Sequence, residues 1–266
     1  MSDYDRNAAV QYGRSMSRGG AVLVDEGLRA HMLQIYNYMA LGLAITGFAA
    51  LGAYMLAVTT DPALAVARLN GVMLTSVGYA LYVSPLKWVL FLAPLGLVFL
   101  FGARVDRMST SAAHVAFWVF AALMGISLSS IFLVYTQMSI GRVFFITAAS
   151  FGALSLWGYT TQRDISGWGS FLFMGLIGLI IASLVNVVMA MMGVASSAMQ
   201  FVISVVGVLI FAGLTAWDTQ RLKNEYVQSG MSGAIAEKSA IMGALSLYLN
   251  FINLFVMLLQ LFGDRR

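Results

Sequence analysis

The stretch "FAGLTAWDTQRLK", residues 211–223, sets a single carboxylate, Asp218, at the end of an apolar run. Arg221 follows three residues later and Lys223 lies beyond it. On a helix, an acid and a base at i, i+3 are surface neighbours and can form a local ion pair. A second group of polar side chains lies in "GALSLYLNFINLFVMLLQLFG", residues 243–263. Gly243, Ser246, Asn250, Asn253 and Gln260 follow one another at spacings of 3, 4, 3 and 7, which puts them on one helical face. One acid, one nearby base and a stripe of amides and a hydroxyl can form a latch, or line a path with neutral oxygens. An amide that only joins neighbouring helices is the plainer alternative for Asn250 and Asn253, and such bonds average about 0.6 kcal/mol in membranes.

These residues do not form an enzymatic constellation. There is no cysteine, and the two histidines, His31 and His114, have no metal-ligand spacing around them. No phosphate loop, nucleophile elbow or zinc-protease motif occurs. The expectation is a protein that is not an enzyme, with no catalytic residues, bound metal or cofactor. His31, beside the start of the first apolar segment, is expected at the membrane interface.

The elements that would carry these groups are built for lipid. The chain of 266 residues is 60% hydrophobic and 10% charged, against about 25% charged in soluble domains. Seven apolar segments are near the roughly 20 residues that a spanning helix needs. They cover 32–58, 86–103, 112–135, 143–161, 168–192, 198–217 and 243–262. Residues 59–85 form a longer link, apolar in places, that is expected to lie at the interface. The fold class is therefore an all-α membrane protein, a bundle of seven transmembrane helices over residues 31–263. Residues 1–30 read as a flexible basic tail: "YGRSMSRGG" is not an apolar core of a signal peptide.

The basic residues set an orientation. Arg6, Arg14, Arg18, Arg29, Arg104, Arg107, Arg163, Arg221, Lys223 and Lys238 fall on the N-terminal side, ten in all. Arg68, Lys87, Arg142, Arg265 and Arg266 fall on the other, five. Ten against five puts the N-terminus in the cytoplasm and makes the net charge of +4 a matter of topology rather than of nucleic-acid binding. As drawn, the spans hold no charged residue except Lys87, at the edge of the second. A charge at mid-bilayer costs at least about 2.5–3.5 kcal/mol, so a proton pump or multi-ion antiporter is disfavoured. Small residues, Gly175, Gly178 and Ala182 with Asn186 in the fifth span and Gly207 and Gly213 in the sixth, mark close helix contacts.

A carboxylate at a helix C-terminus is disfavoured by the macrodipole. The sixth helix is therefore expected to continue through "TQRLKNEY", with Asp218 turned toward the stripe of the last helix. Asn250, about two turns into that helix, is placed to meet it. An acid at the membrane edge, neutralised by Arg221, is the alternative.

"FAGLTAWDTQRLK" resembles the signature of the Bax inhibitor-1 family, and the likeness extends over nearly all of residues 31–262. The segment from "VYTQMSIGRVFF" through "LIIASLVN" is similar to the family's central region, and "ALSLYLNFINLFVMLLQLFG" to its last helix. The bacterial YccA-like branch is the nearest in style. The resemblance implies seven membrane helices with the last held centrally. It implies a calcium leak sensitive to pH, whose sensor is a pair of aspartates, and a basic residue after the second helix that latches onto the first of them. Asp218 matches that first aspartate, and Arg104 in "FLFGARVDRMS" the latch. Asn250 stands where the second aspartate would be, and Pro94 in "LAPLG" where many relatives carry an acid. Two functions follow from the resemblance. One is a passive calcium-permeable leak of the bacterial inner membrane, with Asp218, Asn250, Asn253, Arg104 and Ser246 as gate and path and Arg221 as a local partner. The other is a non-transporting regulator of a membrane-bound ATP-dependent protease of the FtsH type. The implied partners are the lipid bilayer, calcium as permeant and that AAA protease, and no nucleic acid.

Overall fold

A computed structural model describes residues 3–69, 71–194, 196–230 and 233–266, with side chains described from Glu26 on except that of Asp106. Helix α1 runs Asp3–Ala57, and its apolar part, Glu26–Ala57, is the first of seven segments among the described residues that are long and apolar enough to cross a membrane. The tail expected over 1–30 lies for the most part outside the described side chains. The domain's buried contacts are already present at Leu28.

The other spanning helices are α3 (Leu86–Arg104), α4 (Thr110–Leu128) with its short continuation α5 (Ile131–Val134), α6 (Gln137–Thr160), α7 (Trp168–Met191), α8 (Ser197–Ser229) and α9 (Gly233–Phe262). The α4–α5 break falls at two serines, and the Ser129 hydroxyl donates to the Ile126 carbonyl at 2.6 Å, closing the end of α4. Several N-termini are capped as their sequences dictate. Ser109, Thr136 and Ser196 each accept a backbone N–H of the first turn, which satisfies one of the donors that a helix start leaves free.

The link between the first two spans departs from a plain interfacial segment. It forms a three-stranded antiparallel sheet, β1 (Val58–Thr59), β2 (Ala67–Leu69) and β3 (Val72–Leu74), in the order β1-β3-β2, followed by the short helix α2 (Ser76–Tyr82). Leu69 pairs with Val72 across a tight turn in which Gly71 takes φ +80°, a conformation that costs a residue without a Cβ little. The sheet pairs backbone groups that would otherwise be left bare at the membrane surface.

Helix α9 is the axis of the bundle. Two-thirds (67%) of its most apolar window is buried, against 39% for α8 and 11% for α3 and α7. It packs against α8, α1, α6 and α4, with Leu247, Tyr248, Leu254 and Leu259 almost fully enclosed. The Tyr248 hydroxyl is not left unpaired: it shares a hydrogen bond of 2.6 Å with Thr46 of α1. The central last helix expected from its polar stripe is therefore what the fold contains.

Close approach is set by small residues. A Cβ on Gly158 of α6 would collide with the backbone carbonyl of Ala216 on α8, one residue before the WDTQ run. Side chains on Gly213 and Gly207 would meet Leu172 and Met257. By contrast, Gly141 and Gly178 have nothing near their Cβ positions, so not every glycine in the spans is an interface residue. Gly158→Leu is expected to lower stability by about 1–3 kcal/mol or more, because backbone rather than a flexible side chain must move. Gly141→Ala should leave it unchanged or raise it slightly. Thermal unfolding of both variants in detergent checks the pair; equal midpoints would show that the α6–α8 contact is not tight.

Candidate functional site: a carboxylate latch between α8 and α9

Helix α8 does not stop at Asp218. It continues for three more turns to Ser229 and ends at Gly230, which takes φ +56° and returns its N–H to Tyr226. The sequence explains the extension. "TQRLKNEYVQS" holds good helix formers, and the first residue free of a Cβ is Gly230. Continuation gives Asp218 a position inside the helix rather than at its negative end, as the macrodipole argument requires.

The extension also sorts the side chains of the run onto different neighbours. Trp217 donates its ring N–H to the Ser166 carbonyl at 3.2 Å. Gln220 is buried, accepts the Ile165 N–H at 2.9 Å and donates to the Arg163 carbonyl at 2.8 Å. These two fasten the α6–α7 connection. Thr219 shares a hydrogen bond of 2.8 Å with Ser155 of α6, which in turn meets the Tyr36 hydroxyl of α1 at 2.5 Å. Lys223 donates to the Tyr159 carbonyl at 2.8 Å.

Asp218 faces α9. Its side chain is only 6% exposed, and four donors converge on it. Oδ1 accepts from Arg221 Nε at 3.1 Å and Nη2 at 2.7 Å. Oδ2 accepts from Ser246 Oγ at 2.9 Å and Asn250 Nδ2 at 2.7 Å. A buried carboxylate without partners would cost several kcal/mol, and here both oxygens are engaged. Arg221 is 42% exposed and lies over the Trp217 ring, 5.2 Å from its centre. The ion pair thus spans the boundary between the bundle interior and the open end.

Next to the latch is a cavity of about 730 Å³ between α3, α8 and α9. Arg221 and Ser246 form part of its wall, with Glu225, Lys238 and Ser239 toward the mouth. Beyond Asn250 the interior turns apolar. Phe251, Leu254, Phe255 and Leu258 of α9 pack with Ile203, Phe211 and Leu214 of α8. A second polar cluster follows at the far end. Gln260 Oε1 accepts from Ser204 at 2.8 Å and from Gln200 at 2.7 Å, and Gln200 accepts from Asn186 at 2.7 Å. Asn250 and Gln260 are ten residues apart, about 15 Å along the helix.

Three of the five residues expected at the gate or path come together, Asp218, Ser246 and Asn250, and Arg221, the expected local partner, joins them. Two do not. Arg104, the expected latch, ends α3 exposed to solvent, and the bond to Asp218 is made by Arg221 instead. Sequence proximity explains the exchange: a base at i+3 reaches the acid without any tertiary movement. Asn253 is half-buried, and its side chain makes no hydrogen bond among the described residues. His31 is buried in the bundle, stacked on Tyr226 at 4.7 Å, and its Nε2 has no hydrogen-bond partner among the described residues. Gln220, Thr219 and Ser155 were not singled out from the sequence. Gln220 sits beside the acid in the quoted run, and its spacing from Trp217 on one face was the signal available.

The family profile described as "Inhibitor of apoptosis-promoting Bax1" matches residues 28–266. The chain belongs to the Bax inhibitor-1 family. Among its Bax inhibitor-1 relatives, an uncharacterized protein of Caulobacter vibrioides is 43% identical over 267 residues, covering all of both chains. An uncharacterized protein of Rickettsia prowazekii is 43% identical over 242 residues, 91% of this chain and 92% of the relative. The inner membrane protein YbhL of Escherichia coli K12 is 41% identical over 242 residues, 90% and 94% of the two. The Bax inhibitor-1 match thus includes α8, α9 and every residue of the latch.

Proposed function

We propose that this Bax inhibitor-1 family membrane protein is a passive calcium-permeable leak of the bacterial inner membrane, held shut by the Asp218 latch. The observation that carries the reading is the convergence of Arg221, Ser246 and Asn250 on one buried carboxylate, beside a cavity that Arg221 and Ser246 help to line. Opening the latch would present Asp218 and the neutral oxygens of Ser246 and Asn250 to the cavity, an oxygen set of the kind calcium takes. The apolar layer between Asn250 and Gln260 supports a low resting flux, since a permeant must wait for that layer to part.

The ten-to-five division of basic residues supports a cytoplasmic N-terminus. The latch and the cavity are then at the cytoplasmic end. A reporter fused at residue 1 should signal from the cytoplasm, and a periplasmic signal would reverse the assignment.

The sealed interior also suits a non-transporting regulator of a membrane-bound ATP-dependent protease. Calcium uptake by the purified protein in liposomes separates the two readings. Uptake above that of empty liposomes supports the leak. No uptake, with recovery of an AAA protease from native membranes, supports the regulator.

A further inference from the structure

Helices α1 and α6 pack on the same central helices but barely touch each other, and between them lies a groove of about 480 Å³ that opens sideways. Its walls are Met32, Leu33, Met39, Phe151 and Leu156, with Leu33 51% and Leu156 63% exposed. Three features distinguish it from an ordinary lipid-facing surface. First, Gly152 lies in the wall, and a Cβ there would meet nothing within 4 Å, so the glycine leaves space that no protein atom fills. Second, one end carries Arg29, exposed and without a hydrogen bond or ion pair among the described residues. Third, the groove runs from Arg29 to Met39, ten residues or about 15 Å of helix, half the roughly 30 Å of a hydrocarbon core. It has the depth of one leaflet, with Arg29 at one end.

We propose that this groove holds one anionic phospholipid, an acyl chain between α1 and α6 and the phosphate at Arg29. Arg29 supplies the choice of headgroup, and the apolar walls with the gap at Gly152 supply the place for the chain. The floor of the groove is the Tyr36–Ser155 hydrogen bond, which continues to Thr219, the residue after Asp218. A lipid in the groove therefore ties α1 to α6 over the same turn of α8 that carries the latch. The site stands independently of whether the protein conducts calcium.

The test uses the full-length protein in detergent, supplied with phosphatidylglycerol, with phosphatidylcholine of the same acyl chains, or with glycerol phosphate alone. Lipid retained per protein is read by native mass spectrometry, and the thermal midpoint is read alongside. Phosphatidylglycerol should be retained about fivefold over phosphatidylcholine, the worth of roughly 1 kcal/mol from one basic group at the membrane surface. Arg29→Gln should remove that preference. Gly152→Leu, which fills the groove without meeting protein, should lower retention of both lipids, whereas Gly47→Leu, at another open lipid-facing glycine, should change neither. Equal retention of the two lipids by the native protein would overturn the proposal. So would phosphatidylglycerol retention undiminished by Gly152→Leu, or stabilisation by glycerol phosphate equal to that by the lipid. Should Arg29→Gln not purify, the Gly152 and Gly47 variants carry the decision.

Discussion

Asn250→Asp is expected to make the leak strongly pH-dependent. Asn250 Nδ2 lies 2.7 Å from Asp218 Oδ2, so a carboxylate introduced at 250 would place two acidic oxygens within hydrogen-bond reach. Two carboxylates at that distance cannot both ionise easily, and they titrate as a pair. At low pH one proton bridges them and the latch holds. As pH rises through the upper step of the pair, both become charged, and their repulsion pushes α9 away from α8. Flux of the variant should therefore climb steeply between about pH 6 and pH 8, the range reached by strongly coupled pairs. The native protein has no second acid to share a proton, and its flux should change little over that range. The His114–Glu237 contact, at 3.0 Å, is common to both proteins, so the difference between their profiles isolates position 250. Liposome flux against pH reads the effect. A steep profile in the native protein, or the same flat profile in both, would contradict it.

Asp218→Asn is expected to weaken the closed bundle. Four donors now meet two carboxylate oxygens. An amide offers one acceptor and one donor, so either the arginine or the α9 side chains must turn away. Hydrogen bonds to a charged group are worth about 1.5–3 kcal/mol each, and the partial exposure of Arg221 reduces its share. A loss on the order of 2 kcal/mol for the site as a whole is expected. It should appear as a lower thermal midpoint of the purified variant. Asp218→Glu, which keeps the charge on a longer arm, should recover part of it.

The seven helices were legible because hydrophobicity over about 20 residues is a strong signal that needs no partner. The position of α9 was legible for a related reason: Ser246, Asn250 and Gln260 on one face have no good place in lipid. The same reasoning brought Asp218 and Asn250 together, since a continued α8 and a returning α9 leave their polar faces little else to meet. What failed depended on detail that hydrophobicity does not carry. Arg104 and Arg221 are both bases near the end of a span, and only side-chain reach distinguishes them. Asn253 shares the stripe by spacing, but a stripe is wider than the contact it makes, and one turn was enough to remove it from the carboxylate. The sheet at 58–74 was hidden because its strands are two or three residues long and half-buried, too short for a period of two to register. The burial of His31 was hidden because its stacking partner, Tyr226, is nearly two hundred residues away in the sequence.

The central claim, that Asp218 latches a calcium-permeable path, is tested most directly by calcium uptake into liposomes. Native protein and Asp218→Asn are reconstituted at equal density around an internal calcium indicator. The latch predicts slow uptake by the native protein, above that of empty liposomes, and clearly faster uptake by the variant. Uptake by both proteins indistinguishable from empty liposomes, with the variant folded and inserted, would contradict it.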